Sequence, residues 1–91
     1  MSTTTSYLPP DWRNYIIDNS VRETELLARL RQETSTLDMA VMQISPEQGQ
    51  FMRVLTRMLG ARNAIEVGVF TGYSSICVAE ELKQGGQLVA C

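Results

Sequence analysis

The residues with the most chemistry to offer stand in one stretch, Ile65-Glu66-Val67-Gly68-Val69-Phe70-Thr71-Gly72-Tyr73-Ser74. An apolar run interrupted by a single acid, Glu66, leads into a turn bounded by Gly68 and Gly72. Gly68 either admits a ligand close to the backbone or supplies a positive φ. Gly72, at the expected start of a helix, lets that helix pack tightly against the strand. The first N–H groups of a helix have no partner inside it and can receive a polar ligand group. The chain has no histidine, so neither a His-based triad nor a His metal site can be built from it.

Several ligand types use a glycine turn after a strand. A phosphate loop needs Gly-Lys-Ser/Thr, and here Gly72 is followed by Tyr73. A dinucleotide fingerprint needs Gly-x-Gly-x-x-Gly. Val69-Phe70-Thr71 separates the two glycines instead, and Phe70 would crowd a pyrophosphate. A third type places no phosphate near the turn and favours an acid near the strand end. S-adenosylmethionine is of that type, because its ammonium and its charged sulfur both suit a carboxylate such as Glu66. On the residues alone, a purely structural turn in some α/β protein stays equally open.

The elements that position this turn follow from local signals. Pro9-Pro10 marks a boundary, and a short helix is expected over 11–19 with Trp12, Tyr15 and Ile16 on one face. Ser20-Val21-Arg22-Glu23 has the form of a capping box. It opens a second helix to about Glu33 that buries Leu26, Leu27 and Leu30. Arg22, Glu25, Arg29 and Arg31 form its solvated face. Thr34-Ser35-Thr36 breaks the pattern, and 37–44 is an apolar connector containing Met39 and Met42, read as packing filler. Ser45-Pro46-Glu47-Gln48 is a strong helix start, with Ser45 as cap, Pro46 at the first position and Gln48 completing a capping box. That helix should bury Phe51, Leu55, Met58 and Leu59 and stop at Gly60. Then come a strand over 64–67, the turn, a helix from Tyr73 to about Lys83 with Ile76, Ala79 and Leu82 inward, a Gly85-Gly86 turn, and a strand over 87–91. Strand, helix, strand is a βαβ unit with parallel pairing. A lone unit leaves two sheet edges unpaired, so the chain reads as the N-terminal piece of a doubly wound α/β domain.

The totals agree. The chain has 91 residues, 44% hydrophobic and 20% charged, with a net charge of -2. This is globular composition with room for one thin core. It shows no membrane span and no basic surface for nucleic acid or membranes. Residues 1–10 are expected to be a disordered leader, with neither a secretory signal nor an Arg-rich transit peptide. Two cysteines, Cys77 and Cys91, make no disulfide framework, which fits a reduced, cytoplasmic protein.

Two segments together resemble the caffeoyl-coenzyme A O-methyltransferase family, relatives of catechol O-methyltransferase. They are Met42-Gln43-Ile44-Ser45-Pro46-Glu47-Gln48-Gly49-Gln50-Phe51 and the stretch from Ile65 to Ser75. The resemblance runs from Leu37 to Cys91 and is only loose before that. It implies that residues 11–91 are the N-terminal part of an S-adenosylmethionine-dependent methyltransferase domain. The implied fold is the helices and first βαβ unit of a Rossmann-like class I methyltransferase, truncated.

By that resemblance, Glu66 and Gly68 hold the methionine part of the cofactor and Val69 lines it. Ser74 binds its carboxylate, and Ile44 touches it mainly through backbone. Met42 lies near the methyl group and the substrate. Phe70 stands where relatives often have Tyr, so a hydroxyl contact is absent. The implied substrate is a small catechol-like or phenolic hydroxyl compound, possibly linked to coenzyme A, and the complete protein is expected to be a homodimer. A divalent metal, usually magnesium, is implied with ligands beyond residue 91, as are the ribose-binding acid and the lysine base. No catalytic residue and no metal ligand is therefore assigned within the chain. The competing readings are another S-adenosylmethionine enzyme, a nucleotide-binding dehydrogenase, or a truncated product that catalyses nothing.

Overall fold

The computed structural model describes residues 8–91. Of the leader expected over residues 1–10, residues 1–7 lie outside the described residues, and Pro10 already opens α1. The elements, in order, are α1 Pro10–Ser20, α2 Glu25–Thr34, a 3-10 turn Ala40–Met42, α3 Pro46–Leu59, β1 Asn63–Glu66, α4 Tyr73–Ala79 and β2 Gln87–Ala90. The strands pair in parallel, with Asn63 opposite Gln87 and Glu66 opposite Ala90, and α4 is the crossover between them. Cys91 carries the ladder past β1. Its N–H donates to the Glu66 carbonyl at 2.8 Å, and its carbonyl accepts from the Gly68 N–H at 2.9 Å. The backbone entering the glycine turn is thus pinned on both sides of Val67.

The core sits between α2, the start of α3 and α4. Leu27, Ile44, Tyr73 and Cys77 are buried, and Leu30, Met52 and Ile76 pack against them. Full burial of one such apolar side chain is worth about 1.5–3 kcal/mol. Gly49 lets the two helices meet. A Cβ there would lie 2.9 Å from Tyr73 Cε1 and 3.0 Å from Cys77 Sγ.

Several local expectations change. The capping box at Ser20 does not form, because α1 runs through Ser20 and its hydroxyl bonds back to the Ile16 carbonyl. Thr24 caps α2 instead, accepting from the Leu27 N–H at 3.2 Å. Glu23 is engaged elsewhere, with Arg31 and Tyr73. Trp12, Tyr15 and Leu26 are exposed. The largest departure is in α3. Phe51, Leu55, Met58 and Leu59 are exposed, the last two at 78% and 80%. The buried residues of this helix are Pro46, Gly49 and Thr56. The apolar stripe predicts the opposite face inward, but α4 packs against the face that carries Gly49, where the helix surface is flattest. Thr56 tolerates that burial because its hydroxyl donates to the Met52 carbonyl at 2.7 Å.

Helix α4 is shorter than expected. It ends at Ala79, which is exposed, and Leu82 follows in a turn. The strands start or stop one residue early, at Asn63–Glu66 and Gln87–Ala90. The start and stop of α3 are as read. Ser45 accepts from the Gln48 N–H at 3.4 Å, Pro46 opens the helix and Gly60 closes it in left-handed backbone. On the sheet face away from α4, Ile65 and Val89 stand opposite one another and are exposed.

Candidate functional site

Two walls face each other across a cavity of about 360 Å³. One is the end of the connector and the start of α3, contributing Met42, Gln43, Ile44, Gln48 and Met52. The other is the end of β1 with the glycine turn and the start of α4, contributing Glu66 through Thr71, Tyr73 and Ser74. Ile44, Glu66, Gly68, Val69 and Ser74 all line this cavity, as does Met42. Local backbone explains the meeting. The extended Gln43 releases the chain from the 3-10 turn into the Ser45 cap, and Gly49 then brings α3 against Tyr73 beside the turn.

The turn is built on positive φ. Gly68 has φ 90° and Gly72 has φ 97°. A Cβ at either would meet nothing within 4 Å, so Gly72 serves backbone conformation and not tight helix packing. Phe70, at φ 53°, is a non-glycine residue in the same left-handed region, a strained placement of the kind that concentrates at functional sites. Glu66 Oε1 accepts hydrogen bonds from Ser74 Oγ at 2.8 Å and Ser75 Oγ at 2.9 Å. The carboxylate is thereby oriented by the first turn of α4. The Ser74 hydroxyl is already engaged with Glu66, which leaves its backbone N–H as the group at the helix start for a ligand.

Behind the turn lies a network that sequence reading missed. Thr34, 1% exposed, shares a 2.8 Å hydrogen bond with Thr71. The Tyr73 hydroxyl donates to Glu23 Oε2 at 2.6 Å. Arg31 grips the same carboxylate through Nε at 2.9 Å and Nη2 at 2.8 Å. Burial pushes the Tyr73 hydroxyl well above its ordinary range, and the Glu23 carboxylate raises it further, so it stays a neutral donor. Burial works against the charge of Glu23 too, but the hydrogen bonds from Arg31 and Tyr73 outweigh it and hold the carboxyl below its usual range. The hydrogen bond to Glu23 raises the Arg31 guanidinium. The periodicity of α2 puts Arg31 on a solvated face, and no spacing rule joins Glu23 to a tyrosine fifty residues on.

Gln43 is the second omission. It lay inside a stretch singled out only as a whole, yet it is 3% exposed, and its carboxamide N and O have no hydrogen-bond partner. Among the described residues, no group of three or more His, Cys, Asp or Glu side chains is placed to hold a metal ion. No helix of the described residues is long and apolar enough to cross a membrane.

Comparison with known proteins places this geometry. A family profile described as O-methyltransferase matches residues 17–91, and so takes in α2 as well as the segments from Leu37 onward. Caffeoyl-CoA O-methyltransferase 2 of Petunia hybrida is 41% identical over 78 residues, covering 84% of this chain and 32% of the relative. A probable caffeoyl-CoA O-methyltransferase of Arabidopsis thaliana is 44% identical over 78 residues, covering 84% and 34%. Among solved structures, the O-methyltransferase TomG of Streptomyces achromogenes, involved in tomaymycin synthesis and in complex with SAM, superposes with TM-score 0.79 at 34% identity. That match covers 88% of this chain and 36% of that one. An O-methyltransferase from Bacillus cereus in complex with SAH gives TM-score 0.76 at 32% identity, covering 85% and 35%. The chain spans about a third of the length of the curated relatives it matches. Its helices and parallel strand pair correspond to that part of the class I methyltransferase fold.

Proposed function

The chain belongs to the O-methyltransferase family, and from that premise we propose that it supplies part of the S-adenosylmethionine site of an enzyme that methylates a hydroxyl of a small catechol-like or phenolic compound. One observation carries the proposal. The acid, the glycine turn and the connector residues line a single cavity, although they come from two separate stretches of chain. The named activity of the plant relatives supports a phenolic substrate, including one linked to coenzyme A.

The cavity's chemistry suits the cofactor. Glu66 offers a fixed carboxylate, with one oxygen taken by Ser74 and Ser75 and the other left for the ammonium. Ile44, Met52 and Val69 supply apolar wall. The backbone N–H groups at the start of α4 suit the carboxylate. Gly68 keeps the turn in a conformation that brings Val69 to the cavity. When bound, the cofactor supplies an electrophilic methyl group on its sulfonium sulfur. The work of these residues is to hold and orient it, and positioning is a large part of the rate in such transfers. Residues 11–91 act in this reading as the N-terminal part of the methyltransferase domain. The divalent metal that the resemblance implies finds no ligand set among the described residues, and no step through a metal is assigned to them.

Titration calorimetry tests the reading. The complete protein, of which this chain is the N-terminal part in this reading, is expected to bind S-adenosylmethionine and S-adenosylhomocysteine in preference to NAD. Glu66→Ala is expected to weaken that binding more than about tenfold, since a hydrogen bond to a charged group is worth about 1.5–3 kcal/mol. Preference for the dinucleotide would turn the reading toward a dehydrogenase, and unchanged affinity in the variant would remove Glu66 from the site.

A further inference from the structure

Buried polar groups in folded proteins nearly always have a hydrogen-bond partner, and each exception calls for an explanation. Gln43 is such an exception. It sits in extended backbone (φ -76°, ψ 137°) directly after the 3-10 turn, is 3% exposed and lines the cavity between Met42 and Ile44. Neither its carboxamide nitrogen nor its carboxamide oxygen is bonded. Two donors and an acceptor thus stand idle in a wall shared with the apolar Met42, Ile44 and Met52 and with Gln48, none of which pairs with them. Ser45, equally buried in the same segment, has its partner in the cap of α3. Burial alone therefore does not orphan polar groups here. The last torsion of a glutamine is soft, so the carboxamide can exchange the positions of its donor and its acceptor without moving the backbone.

We propose that Gln43 is a ligand-contacting residue of this cavity, its carboxamide pairing with a polar group of the bound adenosyl compound that the ligand-free chain does not replace. The inference rests on the S-adenosylmethionine reading of the cavity and adds a residue to it. An amide kept for a ligand carries a signature that a structural amide does not. Removing it at constant shape relieves an unpaired group in the free chain and loses a bond in the complex, so stability and affinity move in opposite directions.

Gln43→Met, close to isosteric and without the amide, is the variant that reads this. Two measurements are compared between the variant and the parent, both made in the complete protein: S-adenosylhomocysteine affinity by calorimetry, and urea unfolding without ligand. The expected result is affinity lower by roughly tenfold with an unfolding midpoint equal to or above the parent's. Equal affinity overturns the proposal. So does a variant that unfolds earlier or fails to fold, because the amide then already has a structural partner. A complete protein that does not bind S-adenosylhomocysteine sinks the cofactor reading itself. A parent that binds, with a variant that binds as well, sinks only the role of Gln43.

Discussion

A carboxylate with two hydroxyls on one oxygen has little freedom to turn, and that is how Glu66 is presented to the cavity. The two serines that hold it follow at once on Tyr73, which α3 approaches through Gly49. Gly49 is therefore the residue on which the geometry of both cavity walls depends. Alanine there must displace Tyr73 Cε1 and Cys77 Sγ, which lie at 2.9 and 3.0 Å from the added carbon, in a core with few ways to give. Gly49→Ala is expected to destabilise the chain by about 1–3 kcal/mol, read from the urea midpoint. A midpoint at or above the parent's would show that the helix contact yields freely, since alanine alone favours a helix. Cys77 adds no chemistry at this scale, because burial pushes its thiol up to about 11, far from the reactive thiolate.

At the scale of elements, α2 is the brace of the site. It reaches the glycine turn through Thr34 and Thr71 and the start of α4 through Glu23 and Tyr73. Both of the residues it holds line the cavity. The Glu23 pair makes the brace sensitive to pH, with opposite signs at the two ends of the scale. The Glu23 carboxyl lies below its unfolded value, so its contribution is present above about pH 4.3 and is lost as the pH falls toward the folded value. The Tyr73 hydroxyl lies above its unfolded value, so its contribution is present below about pH 10 and is lost as the pH rises beyond that. Glu23→Gln is expected to flatten the acid limb and to lower stability at neutral pH. Urea unfolding between pH 3 and pH 7 measures both, and an acid limb as steep as the parent's would show that other carboxyls set it.

For the molecule as a whole, the distribution of apolar surface is unusual. Phe51, Leu55, Met58 and Leu59 on α3 are exposed, as are Ile65 and Val89 on the sheet. Large apolar side chains exposed together on one helix make it a candidate surface for an apolar ligand. The chain in native buffer is expected to raise the fluorescence of an apolar dye such as ANS. Leu55→Gln with Met58→Gln should lower that signal without lowering the urea midpoint, because side chains already in water contribute little to folding. A dye signal that the double variant leaves intact would place the binding surface elsewhere, with the open sheet face as the next to test.

The sequence by itself determined what short-range forces decide. Ser45 and Pro46 start α3, Gly60 stops it, and Gly68 and Gly72 give the turn its positive φ. The order of strand, turn, helix and strand, and with it the acid at the mouth of the turn, follows from backbone preference over a few neighbouring residues. Of the candidate site residues, Glu66 and Gly68 stand out on local grounds, while Ile44, Val69 and Ser74 are singled out by the family resemblance alone; the fold gathers all five around one cavity. Only the tertiary structure decided which face of α3 is covered, because burial depends on the partner, and α4 takes the flat face at Gly49 over the apolar stripe. It also decided that Glu23 meets Tyr73 and not the start of its own helix, and that the carboxamide of Gln43 is enclosed without a partner. Such long-range pairings leave no period or spacing in the chain, since the residues involved are neighbours only after the helices have packed.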